Sequence, residues 1–544
     1  MQHLKYFTYS LLFAALMWLG WTPRPFFFTL LIAFVPLLIL ENELHRKNKS
    51  AWWILFYNYI AFLFWNLFCT WWIGNTYYGT QEISSVTAGI MVCAVNALLM
   101  CLPVFLFLRT KRKLGLKSGL VSLPLYWICF EWVHLNWDLA FPWLNLGNGL
   151  AQYPQLIQWY EYTGTFGGSL WIWLCNISIY VFFFSEHRQP KKFSKWIYTS
   201  ALILLPLFLS QVIYSFNNPA FTKARKKNIV VVQPNIDPYN TKFDFSTLGD
   251  QLDELLKLSA EKADANTDYI VWPETAIPQG IWLNEIDSNK IIFKIRNFLR
   301  SYPKAKLVTG ISSYKYYETQ PPVTARQFSD GSGYYDAFNS AIQLDSTSKY
   351  QLYHKSKLVV GVESVPYPAL FHYLEPLLVK FGGISVSLGS QKNRTVFFAD
   401  DSTGVAPVIC YESIFGEYCN EYVERGANFI FIVTNDGWWG NSAGHIQHEQ
   451  YAALRAIETR RCIARSANTG TSCFINSRGD ISDETEYWKP TVIKATLPVL
   501  GKETFYVKHG DYIARIALIL SALIYISTFF LKKKVENSSD IIQS

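Results

Sequence analysis

Three side chains in the second half of the chain could together carry out nucleophilic acyl chemistry. Cys410 closes the apolar run Val405–Ile409 in Val408-Ile409-Cys410-Tyr411-Glu412. A buried strand ending in a sharp turn holds such a thiol at a sheet edge without backbone slack. Glu274 follows Val271-Trp272-Pro273. Pro273 fixes the strand end, and the adjacent Trp272 is expected to desolvate the carboxylate and raise its pKa toward that of a general base. Lys355, in Tyr353-His354-Lys355-Ser356-Lys357-Leu358, offers a fixed positive charge where an oxyanion develops. Taken singly, each has a plainer explanation: a core thiol, a loop-end cap, a solvated charge. Three such groups at strand ends of one domain are much harder to ascribe to accident.

The elements that must position them are legible from periodicity. Asn228–Asn235 is β-branched and stops at Pro234, as a buried strand does, and Ser246–Lys262 carries leucines at mostly helical spacing. Further strands are predicted at Tyr269–Glu274, Lys306–Ile311, Ala337–Leu344, Val405–Cys410 and Phe429–Asp436. Strands alternating with helices argue a layered α/β domain.

The first part of the chain is of another kind. Of 544 residues, 50% are hydrophobic and 17% aromatic, high for a soluble enzyme. Apolar runs near the length of a membrane helix occur at Tyr6–Gly20, Pro25–Leu40, Trp52–Ile73, Val86–Leu108, Leu120–Val133, Gly168–Phe184, Trp196–Tyr214 and Tyr512–Leu531. Eight spans are expected, the first retained because no small-residue cleavage site follows it. The domains are then 1–215, a membrane domain of seven spans; 216–510, the α/β domain; and 511–544, the last span and tail.

Charge sets the orientation. Arg46, Lys47 and Lys49, then Arg109–Lys113, then Arg188–Lys195, then Lys532–Lys534 all fall on one side, whereas Gly74–Ser85 and Leu135–Phe166 hold no Lys or Arg. Arg24 is the exception. By the positive-inside rule both termini are cytoplasmic and the α/β domain is outside. The net charge of +8 is thus mainly a topology signal, and nucleic-acid binding loses its motive. Nine cysteines with no CxxC pair, and no histidine cluster at ligand spacing, indicate neither a disulfide framework nor a zinc site. Two apolar segments are candidates to meet lipid: the loop Leu135–Phe166, whose composition suits an interfacial helix in a lipid-substrate role and equally a plain aromatic belt, and Val365–Lys392, which reads either as a helix packed on the domain core or as a lid whose Leu374 and Leu378 dip into the outer leaflet.

Trp272-Pro273-Glu274, Tyr353-x-Lys355-x-x-Leu358-Val359 with Glu363, Val408–Glu412, and Thr434-Asn435-Asp436-Gly437-Trp438-Trp439-Gly440 resemble the nitrilase superfamily. With the membrane spans, Phe141-Pro142-Trp143-Leu144 and Gln233-Pro234-Asn235, they resemble its membrane branch, the bacterial apolipoprotein N-acyltransferases. The resemblance implies an α-β-β-α sandwich facing the periplasm at the inner membrane. It implies transfer of an acyl chain from a phospholipid to the α-amino group of the N-terminal S-diacylglyceryl cysteine of apolipoproteins, with no cofactor and no metal. It makes Cys410 the acylated nucleophile, Glu274 the base and Lys355 the oxyanion partner. Glu363, Tyr411 and Glu412 become supporting groups, and Trp438 and Trp143 lipid-binding ones. One departure stands out: the family pattern Leu-Val-Pro-Phe-Gly-Glu is here Leu358-Val359-Val360-Gly361-Val362-Glu363, which leaves the direction of the Glu363 carboxylate open. The competing classes are a membrane-tethered amidohydrolase with water as acceptor, and a transporter with an extracytoplasmic binding domain. No predicted span carries a clear charge away from its ends, Glu131 itself lying near the end of its span, which speaks against transport.

Overall fold

The structure is a computed structural model that describes residues 2–76, 82–185, 192–218, 223–367 and 386–531. Eight helices occupy the eight predicted spans: α1 (Gln2–Gly20), α2 (Val35–Arg46), α3 (Ala51–Thr70), α4 (Glu82–Leu114), α5 (Leu116–Leu135), α6 (Tyr160–Ile179), α7 (Lys192–Phe216) and, at the far end of the described chain, Tyr512–Phe530. Six of these regions are long and apolar enough to cross a membrane. The other two are α1, which opens with Gln2, His3 and Lys5, and α5, which carries Lys117, Glu131 and His134. Both pack into the same bundle, α1 on α3 and α5 on α4.

The second span differs from expectation. It is broken into a 3-10 turn, Phe27–Leu31, and a helix that runs on to Arg46. Glu41 is thereby brought inside the bundle, where its carboxylate receives Lys111 Nζ of α4 at 2.6 Å. The sixth span begins earlier than predicted and is kinked at Gly164, whose φ is +58°. A Cβ there would meet the Tyr506 ring at 2.4 Å. The loop after α5 forms no interfacial helix. Its backbone runs through three 3-10 turns, Pro142–Leu144, Leu146–Leu150 and Pro154–Leu156, the first two buried. The Glu131 carboxylate anchors them by accepting from Leu146 N at 2.7 Å, Trp127 Nε1 at 3.0 Å and Ser169 Oγ at 2.7 Å.

Beyond α7 the chain folds as two packed sheets. The first contains β1 (Lys226–Gln233), β2 (Tyr269–Val271), β3 (Ile277–Trp282), β4 (Lys306–Tyr317), β5 (Arg326–Gln327), β6 (Tyr334–Leu344) and β7 (Tyr350–His354). The second contains β8 (Phe397–Phe398), β9 (Gly404–Ile409), β10 (Ala427–Thr434), β11 (Cys462–Ala467), β12 (Cys473–Ile475) and β13 (Ile481–Ser482), while β14 (Thr491–Pro498) returns to the first. The spatial orders are β14-β1-β2-β4-β6-β5, with β3 on β4 and β7 on β6, and β13-β12-β11-β10-β9-β8.

Alternation along β1 explains the layering. Ile229 and Val231 point between the sheets, toward a core shared with Val405, Val408 and Phe431. Val230 and Val232 point the other way, onto Leu252 and Leu255 of α8 (Leu248–Lys262) and Ile292 and Ile295 of α9 (Lys290–Leu299). The outer face of the second sheet is covered by α10 (Gly416–Glu424) and α11 (Ala443–Thr459). The expected α-β-β-α order results. A short helix, α12 (Phe505–His509), leads into the last span, α13 (Tyr512–Phe530). Most of Val365–Lys392, including Leu374 and Leu378, lies outside the described residues.

Helices and sandwich share one continuous core. Trp143 is buried at the join, its ring 4.8 Å from Trp72, 5.5 Å from Trp439 and 5.9 Å from His448. Tyr451 of α11 donates to Trp143 O at 2.8 Å and receives Trp21 Nε1, just past the end of α1, at 3.1 Å.

Candidate active site

Cys410 is the first residue after β9 and the first of a 3-10 turn, Cys410–Ile414. Its φ of +49° lies in the left-handed region, a strained conformation for a residue with a Cβ. The turn is held from beneath: Cys410 O accepts from Ser413 Oγ at 2.8 Å and lies 3.1 Å from His448 Nε2. The residue is 9% exposed. Burial pushes its pKa well above the ordinary thiol value and the Glu274 carboxylate adds to this, while Lys355 and a hydrogen bond with Thr434 act against it. The resting form is therefore the thiol.

Glu274, 7% exposed, follows β2. Gly310 lies against it so closely that a Cβ there would stand 2.6 Å from Glu274 Cα. Its Oε1 accepts from Asn339 Nδ2 at 2.8 Å and Lys355 Nζ at 3.1 Å. The sequence-based expectation of a raised pKa is corrected here. Burial does push it up, but Lys355, the Asn339 amide and Lys242 outweigh burial and hold the carboxyl below its ordinary value. Nor is Trp272 its neighbour: on the opposite face of the strand, Trp272 Nε1 donates to Ser259 Oγ of α8 at 2.8 Å.

Lys355 follows β7, and its backbone N donates to Asn339 O of β6 at 2.8 Å. The side chain is 1% exposed, and Nζ lies between two carboxylates, Glu274 Oε1 at 3.1 Å and Glu363 at 3.0 Å to Oε1 and 2.9 Å to Oε2. The direction left open for Glu363 is thus fixed: Oε1 also accepts from Asn339 Nδ2 at 2.9 Å, and Oε2 from Val359 N at 2.8 Å. Burial opposes the Lys355 charge, but Glu274 and Glu363 prevail and hold its pKa well above the ordinary lysine value.

The structure brings Glu274, Lys355, Glu363 and Cys410 together, and places the other predicted residues around them. Glu412 is fully buried and clasps two turns. Its Oε2 accepts from Ile409 N at 2.9 Å, beside the thiol, and its Oε1 from Ser356 N at 2.7 Å, beside Lys355. Tyr353 OH at 2.8 Å, Tyr418 OH and Lys357 N at 3.3 Å also donate to Oε1. Tyr411 OH donates to Ala140 O at 3.0 Å and so ties the thiol's turn to the loop after α5. Trp438, half-buried in the turn Asp436–Trp439, stands edge-on to Tyr239 at 5.3 Å and stacks with Phe243 at 6.3 Å.

Residues 13–178 match the apolipoprotein N-acyltransferase N-terminal domain, and residues 229–502 match carbon-nitrogen hydrolase. The apolipoprotein N-acyltransferase of Chlorobaculum tepidum is 30% identical over 508 residues, which cover 91% of this chain and 90% of that protein. The chain belongs to the apolipoprotein N-acyltransferase family. The protein of that name from Geobacter metallireducens is 27% identical, with 93% of this chain and 92% of that one covered. Among solved structures, an amidase from Nesterenkonia sp. is similar at 13% identity and a TM-score of 0.34, covering 53% of this chain and 95% of that one.

In this apolipoprotein N-acyltransferase family member, residues that sequence reasoning missed complete the surroundings. Asn339 bridges Glu274 and Glu363; a polar side chain amid the apolar strand Ala337–Leu344 was its signal. Asp436 Oδ1 lies 2.9 Å from His448 Nδ1 and accepts from Thr434 Oγ1 at 2.7 Å, while Oδ2 receives the Arg465 guanidinium. Cys410, Asp436 and His448 come within 4.8 Å of one another. Both Asp436 oxygens are already engaged, and Arg465 neutralises it, so this set does not fit a metal ion. Lys242 is also buried here, and its Nζ donates to Glu274 O at 2.9 Å. A lysine in a loop reads as solvated, and nothing in the sequence marked it.

Proposed function

We propose that this protein transfers an acyl chain from a phospholipid to the α-amino group of the N-terminal S-diacylglyceryl cysteine of apolipoproteins, through a thioester on Cys410. The observation that carries this reading is the buried Glu274–Lys355 ion pair in the electrostatic reach of a thiol on a left-handed turn. Attack of sulfur on the ester carbonyl forms the C–S bond as Glu274 takes the thiol proton. Because the resting pair is thiol and carboxylate, proton transfer accompanies attack rather than preceding it. Lys355 opposes the charge that builds on the carbonyl oxygen. Collapse breaks the C–O bond, and Glu274 returns the proton to the leaving lysophospholipid hydroxyl. In the second half-reaction Glu274 takes a proton from the incoming amine, the C–N bond forms, and the released sulfur is reprotonated.

The membrane helices serve proximity. A phospholipid ester lies just below the headgroups, and a domain joined to helices on both sides holds its thiol near that depth without extracting the lipid. We assign the helical part to 1–215, the catalytic part to 216–510, facing the periplasm, and the last span and tail to 511–544, in the inner membrane. Support for the orientation is the one-sided distribution of Lys and Arg. Trp438, half-buried next to Trp439, is the residue we assign to the lipid side, whereas Trp143, expected there too, is buried in the core between helices and sandwich.

Mass spectrometry of the purified full-length protein after incubation with phospholipid alone tests the proposal. An acyl adduct on Cys410, with lysophospholipid released before any acceptor is added, is expected. Release that requires the acceptor means direct transfer, and Cys410 would then be a packing residue.

A further inference from the structure

Lys355 has few donors to spare. Its three N–H bonds face three carboxylate oxygens at 2.9 to 3.1 Å, one of Glu274 and two of Glu363. An ammonium held between two carboxylates also has its charge largely offset before any oxyanion forms. Lys242 is differently placed. It lies in the turn after β1, with its backbone N donating to Asp237 O at 2.9 Å, and Gln251 of α8 donates to the neighbouring Thr241 O at 2.9 Å. Its residue surface is 1% exposed. Nζ spends one N–H on Glu274 O at 2.9 Å; the other two have no acceptor among the described residues. Burial pushes its pKa down to about 8, against the Glu274 carboxylate and, once it is deprotonated, the Cys410 sulfur, which act to hold it up. A buried lysine without a direct carboxylate partner is costly to the fold, and such a group is kept where charge appears transiently.

We propose that Lys242 is a catalytic residue, donating its free N–H bonds to the oxyanion of both tetrahedral intermediates. Sulfur attack moves the carbonyl π electrons onto oxygen. Lys242 Nζ–H hydrogen-bonds that oxygen while the negative charge lasts, and gives up no proton when the carbonyl reforms. This rests on the acyl-transfer reading of the site.

The test separates oxyanion stabilisation from thiol activation and from folding. Full-length Lys242→Met is compared with wild type in two reactions: lysophospholipid release from phospholipid, and alkylation of Cys410 by iodoacetamide. Alkylation uses the same thiol but displaces iodide without forming an oxyanion. The expected result is acylation slowed about a hundredfold or more, as for loss of an oxyanion donor, with alkylation within about threefold of wild type by the same reasoning. Acylation within threefold of wild type, or both reactions slowed together, overturns the proposal. Should the Met variant not fold, Lys242→Gln, which can keep an N–H toward Glu274 O, is read by the same two rates. Failure of the acyl-transfer reading would show differently, as wild-type protein that releases no lysophospholipid.

Discussion

At the scale of single residues, the protonation states at rest decide what substitutions do. Cys410→Ala is expected to abolish both half-reactions, and Glu274→Gln to stop thioester formation because nothing then takes the thiol proton. Lys355→Ala is expected to slow lysophospholipid release about a hundredfold or more, and Cys410→Ser to be inactive, since a lone carboxylate held below its ordinary pKa does not deprotonate a hydroxyl. Turnover by the Ser variant above a hundredth of wild type would contradict this. Asp436 makes a second prediction. Although burial opposes its charge, Arg465 and His448 hold its pKa far below the ordinary carboxylate value. A depressed carboxylate contributes stability that is present above its unfolded pKa and lost as pH falls through the folded one. Asp436→Asn should therefore cost about 3–5 kcal/mol at neutral pH, the scale for stripping a buried charge of its partner. The gap in Tm between wild type and variant should narrow below about pH 4, where the unfolded aspartate begins to bind its proton. A constant gap would show that Asp436 acts only by packing.

At the scale of elements, the site is an agreement between two turns that belong to different sheets. Cys410 ends β9 of the second sheet, and Lys355 ends β7 of the first. Glu412 joins them with one carboxylate oxygen on each side. Glu412→Ala would leave Ile409 N and Ser356 N unsatisfied, at about 1–3 kcal/mol each. It would also free the two turns to part. The expected outcome is a lower Tm together with a loss of acylation that persists at temperatures where the variant remains folded, and partial rescue by Glu412→Gln. Full activity of the Ala variant below its Tm would show that the clasp contributes stability alone.

For the whole molecule, the Trp72, Trp143 and Trp439 rings and the Tyr451 bonds make the helical part and the sandwich one core. The thiol's height above the bundle is thus set by packing rather than by a linker. Orientation across the membrane is a separate matter, which we assign from the one-sided Lys and Arg distribution. Alkaline phosphatase fused after Asn217 is expected to be active, and fused after Lys113 inactive. The opposite pattern would place the site on the cytoplasmic side and remove the proposed access to lipoproteins.

What the sequence determined by itself was whatever depends on local pattern. Apolar runs marked the places of all eight helices, because burying backbone in hydrocarbon demands long unbroken stretches. Strand ends marked Glu274 and Cys410, because a β-branched run stopped by a turn is a local signal, and the motif Tyr353-x-Lys355-x-x-Leu358-Val359 marked Lys355. The tertiary structure alone decided how these groups act on one another. The pKa of Glu274 falls rather than rises because Lys355, Asn339 and Lys242 come from segments remote in sequence, and Trp272, its near neighbour in the chain, faces the other side of the sheet. Leu135–Phe166 read as a surface helix because aromatic residues suit both a headgroup layer and a protein core, and only the presence of α11 and Trp72 against it distinguishes the two. Glu41 and Lys242 were unmarked, and Asn339 marked only as a polar residue in an apolar strand, for one reason: a polar side chain reveals its role by its partner, and each partner lies tens of residues away along the chain.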